Sequence, residues 1–148
     1  MEDRPEIAVL GAGKVGMALA EQAARVGRKV AAIGARRPER VGKFSGLSRL
    51  ETPILPIEQA AGMAPFVIIA IPDEAIGDLG RRLAEERCFR PGAIVIHCSG
   101  ALGSAVLDPV RSELGGVVGS AHPLQTFPSV EAALEKLAGC YFFIEGDE

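Results

Sequence analysis

Along this chain, uninterrupted apolar runs of strand length alternate with stretches in which apolar residues recur at the spacing of a helical face. The first run is Glu6-Ile7-Ala8-Val9-Leu10, followed by Gly11-Ala12-Gly13-Lys14-Val15-Gly16 and, from Met17, an alanine-rich amphipathic helix. In that helix Val15, Leu19, Ala23 and Val26 are expected to share the inward face, and Gly27 to supply the C-terminal stop. Lys29-Val30-Ala31-Ala32-Ile33 reads as a second strand, Pro38 to Lys43 as a short helix, and Thr52-Pro53-Ile54-Leu55-Pro56 as a third strand. Phe66-Val67-Ile68-Ile69-Ala70-Ile71 is apolar throughout, as a central strand would be, and precedes a helix with Ile76, Leu79, Gly80 and Leu83 on one face. Residues 93–97 and 117–121 predict strands five and six. A last helix, capped by Ser129 with Val130, Leu134 and Leu137 inward and closed by Gly139, leads to a seventh strand over residues 140–144.

Strand and helix alternating in this way is the signature of βαβ units, hence of a parallel sheet covered by helices. Proline cannot donate to a sheet ladder, so the proline-flanked third strand belongs at an edge. Together these readings predict an α/β fold of the Rossmann doubly wound type, mostly parallel, in the order 3-2-1-4-5-6 with a seventh strand added.

The glycine turn between strand one and its helix is the dinucleotide-binding fingerprint in its proper setting. Gly11 serves the tight turn, Gly13 lets the backbone approach a pyrophosphate, and Gly16 lets the helix sit close on the strand. Ala12, Lys14 and Val15 complete the loop, whose bound phosphates would lie at the helix N-terminus.

The end of strand two decides which dinucleotide. An Asp or Glu there would hold the ribose hydroxyls of NAD, but the chain reads Gly34-Ala35-Arg36-Arg37-Pro38-Glu39-Arg40. Arg36 stands where the acidic residue is expected, and a guanidinium matches a phosphate in bidentate geometry. Cations at a helix N-terminus are unfavourable by roughly 0.3–1 kcal/mol unless an anion is near. NADP is therefore favoured, with Arg36 on the 2′-phosphate and Arg37 as helper; the plainer alternative is that Arg36, Arg37, Arg40 and Lys43 form a solvated basic surface. The same arginine argues against an S-adenosylmethionine site, which would want a carboxylate there.

In an open α/β sheet, ligands bind outside the carboxyl ends of the strands. The Ile71-Pro72 backbone is expected to border the nucleotide, with Asp73 capping or complementing the following helix. Ser99 and Gly100 would meet the nicotinamide end, although a serine there is equally a turn former. His97 reads as a satisfied core histidine and Cys98 as a small buried hydrophobe. His122, at the exit of strand six, is the candidate acid/base or anion-binding group, since imidazole titrates near neutrality; a backbone hydrogen bond is its plainer role. A hydrolase triad is disfavoured because G-x-S-x-G is missing.

At 148 residues, 48% hydrophobic and with 18 glycines, one domain with a substantial core is expected. A net charge of −3 gives no general attraction to nucleic acid or to anionic membranes, so neither partner is predicted. Cys88, Cys98 and Cys140 lie outside any metal-ligand spacing and read as reduced thiols. With a charged N-terminus and no membrane-length apolar run, the chain reads as cytoplasmic.

Four segments carry a family resemblance: Gly11 to Gly16, Ile71-Pro72-Asp73-Glu74-Ala75-Ile76, His97-Cys98-Ser99-Gly100-Ala101-Leu102 and His122-Pro123-Leu124-Gln125-Thr126-Phe127. Together they resemble Rossmann-like proteins with a DUF2520 C-terminal domain, a family related to F420-dependent NADP reductases and 6-phosphogluconate dehydrogenase-like oxidoreductases. The resemblance runs over nearly the whole chain. The glycine motif is widely shared; the serine-glycine and His-Pro-Leu-Gln loops together are more specific. By this resemblance Arg36 matches the family's arginine after strand two, and His122-Pro123 is loosely similar to the His-Pro of prephenate dehydrogenases. It implies an oxidoreductase that transfers a hydride between NADP(H) and a small carbonyl or imine substrate. Family members continue into a helical C-terminal domain that closes the substrate cleft and often mediates dimerisation. Residues 1–148 are thus expected to be the NADP-binding Rossmann domain with that helical domain absent, and a homodimer stays open. The alternative is a stand-alone NADP-sensing module without catalysis.

Overall fold

The computed structural model describes residues 4–42 and 51–148. The apolar runs become strands: β1 (Ile7–Leu10), β2 (Val30–Ala35), β3 (Ile54–Pro56), β4 (Phe66–Ile69), β5 (Ile94–His97), β6 (Val117–Pro123) and β7 (Phe142–Gly146). Between them lie α1 (Lys14–Arg25), α2 (Ile57–Ala61), α3 (Asp73–Glu85), α4 (Asp108–Leu114) and α5 (Val130–Leu137). One sheet takes all seven strands in the order β3-β2-β1-β4-β5-β6-β7, parallel except for the antiparallel β6–β7 pair. The Rossmann-type α/β architecture is as the alternation predicts, with proline-flanked β3 at one edge.

Period-two alternation divides the core between the two faces. On β1, Ala8 and Leu10 join Val67, Ile69, Ile76, Leu83 and Val95 on the face covered by α2, α3 and α4. Ile7 and Val9 point the other way, into a cluster with Met17, Ile33, Val130 and Leu134 beneath α1 and α5. Ser129 Oγ accepts from the Ala132 amide at 3.0 Å and starts α5 as expected, a cap that contributes about 1 kcal/mol. Gly27, with φ +77°, ends α1 as expected. The α1–α5 pair covers β1, β2 and β4; beyond it, Ile94, Val117, Phe142 and Ile144 stay exposed on β5, β6 and β7.

Several boundaries differ from the sequence reading. The inward face of α1 is Gly16, Met17, Ala18, Ala20 and Glu21, whereas Val15, Leu19 and Ala23 are only partly buried and Val26 is exposed beyond the last turn. The reason is α5: it packs along α1, with Gln22 Nε2 donating to Leu134 O at 2.9 Å, and turns the helix toward its small residues. Glu21 is carried into this seam ion-paired with Arg25 at 2.9 Å. The helix expected from Pro38 is a single 3-10 turn, Pro38–Arg40, and Lys43 lies outside the described residues. A turn that short has little dipole, which removes the helix-dipole argument for an anion at Arg36. β4 stops at Ile69, leaving Ala70 and Ile71 in the following loop. β6 runs on to Pro123, and the seventh strand starts at Phe142 instead of Cys140, because the antiparallel ladder pairs Gly119–Pro123 with Phe142–Gly146.

Candidate functional site

The loops at the carboxyl ends of β1, β2, β4, β5 and β6 gather at one rim of the sheet. At its centre the glycine turn is sterically specified. Gly11 has φ +119°, and a Cβ there would stand 2.1 Å from the Ala70 carbonyl oxygen. A Cβ on Gly16 would stand 2.0 Å from Gly11 O. Both positions exclude any side chain. Gly13 has no atom within 4 Å of where its Cβ would lie, so the turn is closed on its inner side and open at Gly13. Gly13 is also the N-cap of α1; no side chain caps this helix end and its first turn holds no acidic residue. The first-turn amides therefore keep their capacity for an external anion.

Three clefts run along this rim and share residues. The middle one, about 480 Å³, sets Gly13, Lys14 and Val15 against Ile71, Pro72 and Ser99, with Cys98 and Phe127 also in its lining. The second, about 670 Å³, continues from Ile71 and Pro72 to Arg36, Glu58 and Arg82. The third, about 450 Å³, continues from Ser99 to Gly100, His122, Phe143 and Glu145. Ala12 is partly buried against the core cluster under α1. Arg37 lines none of the three; it is the exposed residue before the 3-10 turn, and its carbonyl accepts from the Arg40 amide at 2.9 Å.

His97 is fully buried and satisfied: its Nδ1 accepts from the Ser99 amide at 3.1 Å, so Nε2–H donates to Gly103 O at 3.0 Å. The ring is thus fixed as the Nε2–H tautomer and shapes the Ser99 loop. Ser99 Oγ accepts from the amides of Ala101 and Leu102, at 3.1 and 3.2 Å, which makes it a turn former first. Just before those amides, the N–H of Gly100 finds no partner among the described residues. Cys98 is half-buried, and burial pushes its thiol up to about 12, so it stays protonated as the expected small hydrophobe would.

His122 lies inside β6, paired with Phe143, and not beyond the strand as expected. Its Nδ1 is 3.2 Å from Cys98 O; a carbonyl only accepts, so Nδ1 carries the proton and donates. That leaves Nε2 without a hydrogen-bond partner among the described residues. The imidazole opens on the third cleft and is separated from the glycine turn by Ser99, which borders both. Asp73 is the first residue of α3, after the N-cap Pro72; it makes no capping hydrogen bond and complements the helix end only by its charge.

Glu58, Arg82, Phe127 and Glu145 join the lining without having been foreseen. Arg82 Nη1 lies 2.8 Å from Glu58 Oε1, and the Glu58 carboxyl is held below its ordinary range, first by its own backbone amide and then by Arg82. Glu145 is lowered in the same sense by the hydroxyl and amide of Ser104, each 2.6 Å away.

The family model of the Rossmann-like domain matches residues 1–123. The chain belongs to the Rossmann-like domain family. The match carries that description and does not name the DUF2520 region. No curated protein matches this Rossmann-like chain significantly. Among solved structures, Mycobacterium tuberculosis 3-hydroxyisobutyrate dehydrogenase with L-serine is 22% identical, with a TM-score of 0.68 over 97% of this chain and 47% of its own. Prephenate dehydrogenase from Aquifex aeolicus, in complex with hydroxyphenyl propionate and NAD+, is 19% identical with a TM-score of 0.73 over 96% of this chain and 50% of its own. Pyrroline carboxylate reductase from Plasmodium falciparum, with NADP bound, is 12% identical with a TM-score of 0.66 over 100% and 50%. At these identities the likeness is one of fold. The chain spans about half the length of each of these oxidoreductases. Among the described residues no helix is long and apolar enough to cross a membrane.

Proposed function

We propose that this Rossmann-like domain binds NADP(H) along the rim of the sheet, as the cofactor-binding half of an oxidoreductase acting on a small carbonyl or imine compound. The observation that carries this reading is the row of three adjoining clefts that share lining residues, with Arg36 at one end, the open glycine turn in the middle and His122 at the other. The open outer side of Gly13 fits a pyrophosphate, because the backbone there can be approached without meeting a side chain.

In this reading the first-turn amides of α1 hold the pyrophosphate, and Lys14 adds a positive charge beside it. Arg36, exposed and on the cleft, takes the 2′-phosphate in bidentate fashion. Arg37 lines none of the three clefts, and the role is assigned to Arg36 alone. Ile71 and Pro72 form the wall between the adenosine and nicotinamide halves. Ser99 holds the loop whose Gly100 amide donates at the nicotinamide end. When bound, NADP(H) supplies or accepts the hydride. His122 takes up or gives the accompanying proton at Nε2, while its Nδ1–H to Cys98 O fixes the ring.

Calorimetric titration with NADPH, NADH and S-adenosylmethionine tests this directly. NADPH is expected to bind most tightly. Tight S-adenosylmethionine binding without NADPH binding would overturn the proposal.

A further inference from the structure

The cleft that contains Arg36 has a chemistry of its own beyond the arginine. Ile57, Ile71, Pro72, Ala75 and Leu79 give it apolar walls, and such walls suit the faces of a flat ring. Its polar edge is the Glu58–Arg82 pair, which joins the first turn of α2 to α3 at 2.8 Å across 24 residues of sequence. Arg82 is also 3.6 Å from Glu86, so two carboxylates balance its charge and Arg36 remains the cation of this cleft suited to a phosphate. Glu58 is different. Its carboxylate is ionised, oriented by a partner, and still accessible, with its side chain 44% exposed. An ionised carboxylate has about four acceptor positions; its own backbone amide and Arg82 engage this one and leave others open. Glu74, the other carboxylate in the lining, has no cation orienting it among the described residues.

A slot with apolar walls, a guanidinium at one end and a fixed acceptor at its edge recognises a flat heterocycle that carries a phosphate on one side and a hydrogen-bond donor on another. We propose that Glu58, positioned by Arg82, accepts the exocyclic 6-amine of a purine in this slot, selecting an adenine dinucleotide over its 6-oxo counterpart. This rests on the reading that Arg36 holds the 2′-phosphate of NADP. The discrimination follows from the chemistry of the base. An amine donates to the carboxylate, whereas a 6-oxo group turns a carbonyl oxygen toward it, so that one hydrogen bond is lost and two acceptors face each other.

The test uses the whole chain and two probes, NADPH and nicotinamide hypoxanthine dinucleotide phosphate, titrated by fluorescence or calorimetry. Wild-type protein is expected to bind NADPH about tenfold more tightly than the 6-oxo analogue, the scale of one hydrogen bond to a charged group. Glu58→Ala should bring the two within about twofold by weakening NADPH alone. Glu58→Gln, which retains a carbonyl acceptor, should keep most of the preference, and Glu74→Gln should keep all of it. Arg82→Ala should narrow it, since the carboxylate loses its orienting partner. Equal binding of both probes by wild-type protein, with NADPH still preferred over NADH, overturns the role of Glu58 and leaves the Arg36 reading standing. No binding of NADPH removes both. Because the wild-type comparison is decisive by itself, a variant that fails to fold does not protect the proposal.

Discussion

The Nε2 end of the His122 ring rests against Gly100 so closely that a Cβ built on Gly100 would stand 2.6 Å from Nε2. The same ring donates from Nδ1 to Cys98 O at 3.2 Å, so the loop after β5 and the end of β6 are locked through one imidazole. Gly100→Ala is expected to cost about 1–3 kcal/mol, the range for forcing an extra carbon into a packed site. His122→Ala should cost about 1 kcal/mol through the lost hydrogen bond. The double variant should be more stable than the sum of the two losses predicts, because removing the ring makes room for the added methyl group. Urea denaturation of the four proteins measures this. Additive losses would mean that the ring swings aside freely and that the two loops are not coupled.

The glycine turn separates folding from binding. Gly11→Ala places a Cβ 2.1 Å from a carbonyl oxygen at φ +119°, and Gly16→Ala places one at 2.0 Å from another. Backbone stands on both sides, so neither can relax cheaply; each should lose about 3 kcal/mol or more, or fail to fold cooperatively. Gly13→Ala meets no atom within 4 Å and should stay within about 1 kcal/mol of wild type. Its NADPH affinity should nevertheless fall about tenfold, since the methyl group enters the space required by the pyrophosphate. Thermal melts read beside NADPH titrations check both halves. An unaltered NADPH affinity in Gly13→Ala would move the phosphate site elsewhere.

What could be read from the chain alone is what local chemistry decides. The Ile7–Leu10 strand, the turn at Gly11, the stop at Gly27, the Ser129 cap and the edge position of Ile54–Pro56 each follow from a run, a φ value, a cap or a missing N–H within a few residues. The misreadings at the α1 face and at the site depend on partners far along the chain. Val15 and Leu19 yield the inner face of α1 to Met17 and Ala20 because α5, more than a hundred residues later, packs there, as the Gln22–Leu134 bond records. His122 is drawn into β6 by Phe143, and Glu58 finds Arg82 only once the sheet sets α2 beside α3. Neighbours in sequence also part company: Arg36 reaches a cleft that Arg37 does not.

In the proposed site, Arg36 carries the cofactor preference. It is exposed, and an exposed side chain at the end of β2 contributes little to folding, so Arg36→Ala should leave stability within about 0.5 kcal/mol of wild type. NADPH should bind about tenfold more weakly and NADH within about twofold of its wild-type affinity, because in the proposed site the guanidinium meets only the 2′-phosphate. Arg37→Ala should change neither by more than about twofold, given its place off the cleft. Equal losses for NADPH and NADH in Arg36→Ala would show that the arginine supports the site generally and does not read the phosphate.

The strand that flanks His122 is itself held by a latch that acid should open. Asp147, just past β7, accepts from Arg111 Nη2 at 2.7 Å and from the Val118 amide at 3.0 Å. Arg111 first, and then the amide, lower its carboxyl from 3.8 to about 2. Because the folded value lies below the unfolded one, this contribution to stability is present above about pH 4 and disappears as the pH falls toward about 2. Asp147→Asn should therefore be less stable than wild type near neutrality, and the two should converge near about pH 2. Urea midpoints measured across that range test the sign; a gap that stays constant with pH would show that the carboxylate charge is not what holds β7. Glu145 is lowered in the same direction by Ser104, and Glu145→Gln in parallel separates the two. Since β7 pairs Phe143 with His122, opening the latch should also broaden the His122 imidazole resonances in the same acid range, while leaving those of His97, held by Gly103 and Ser99, sharp until the fold itself is lost.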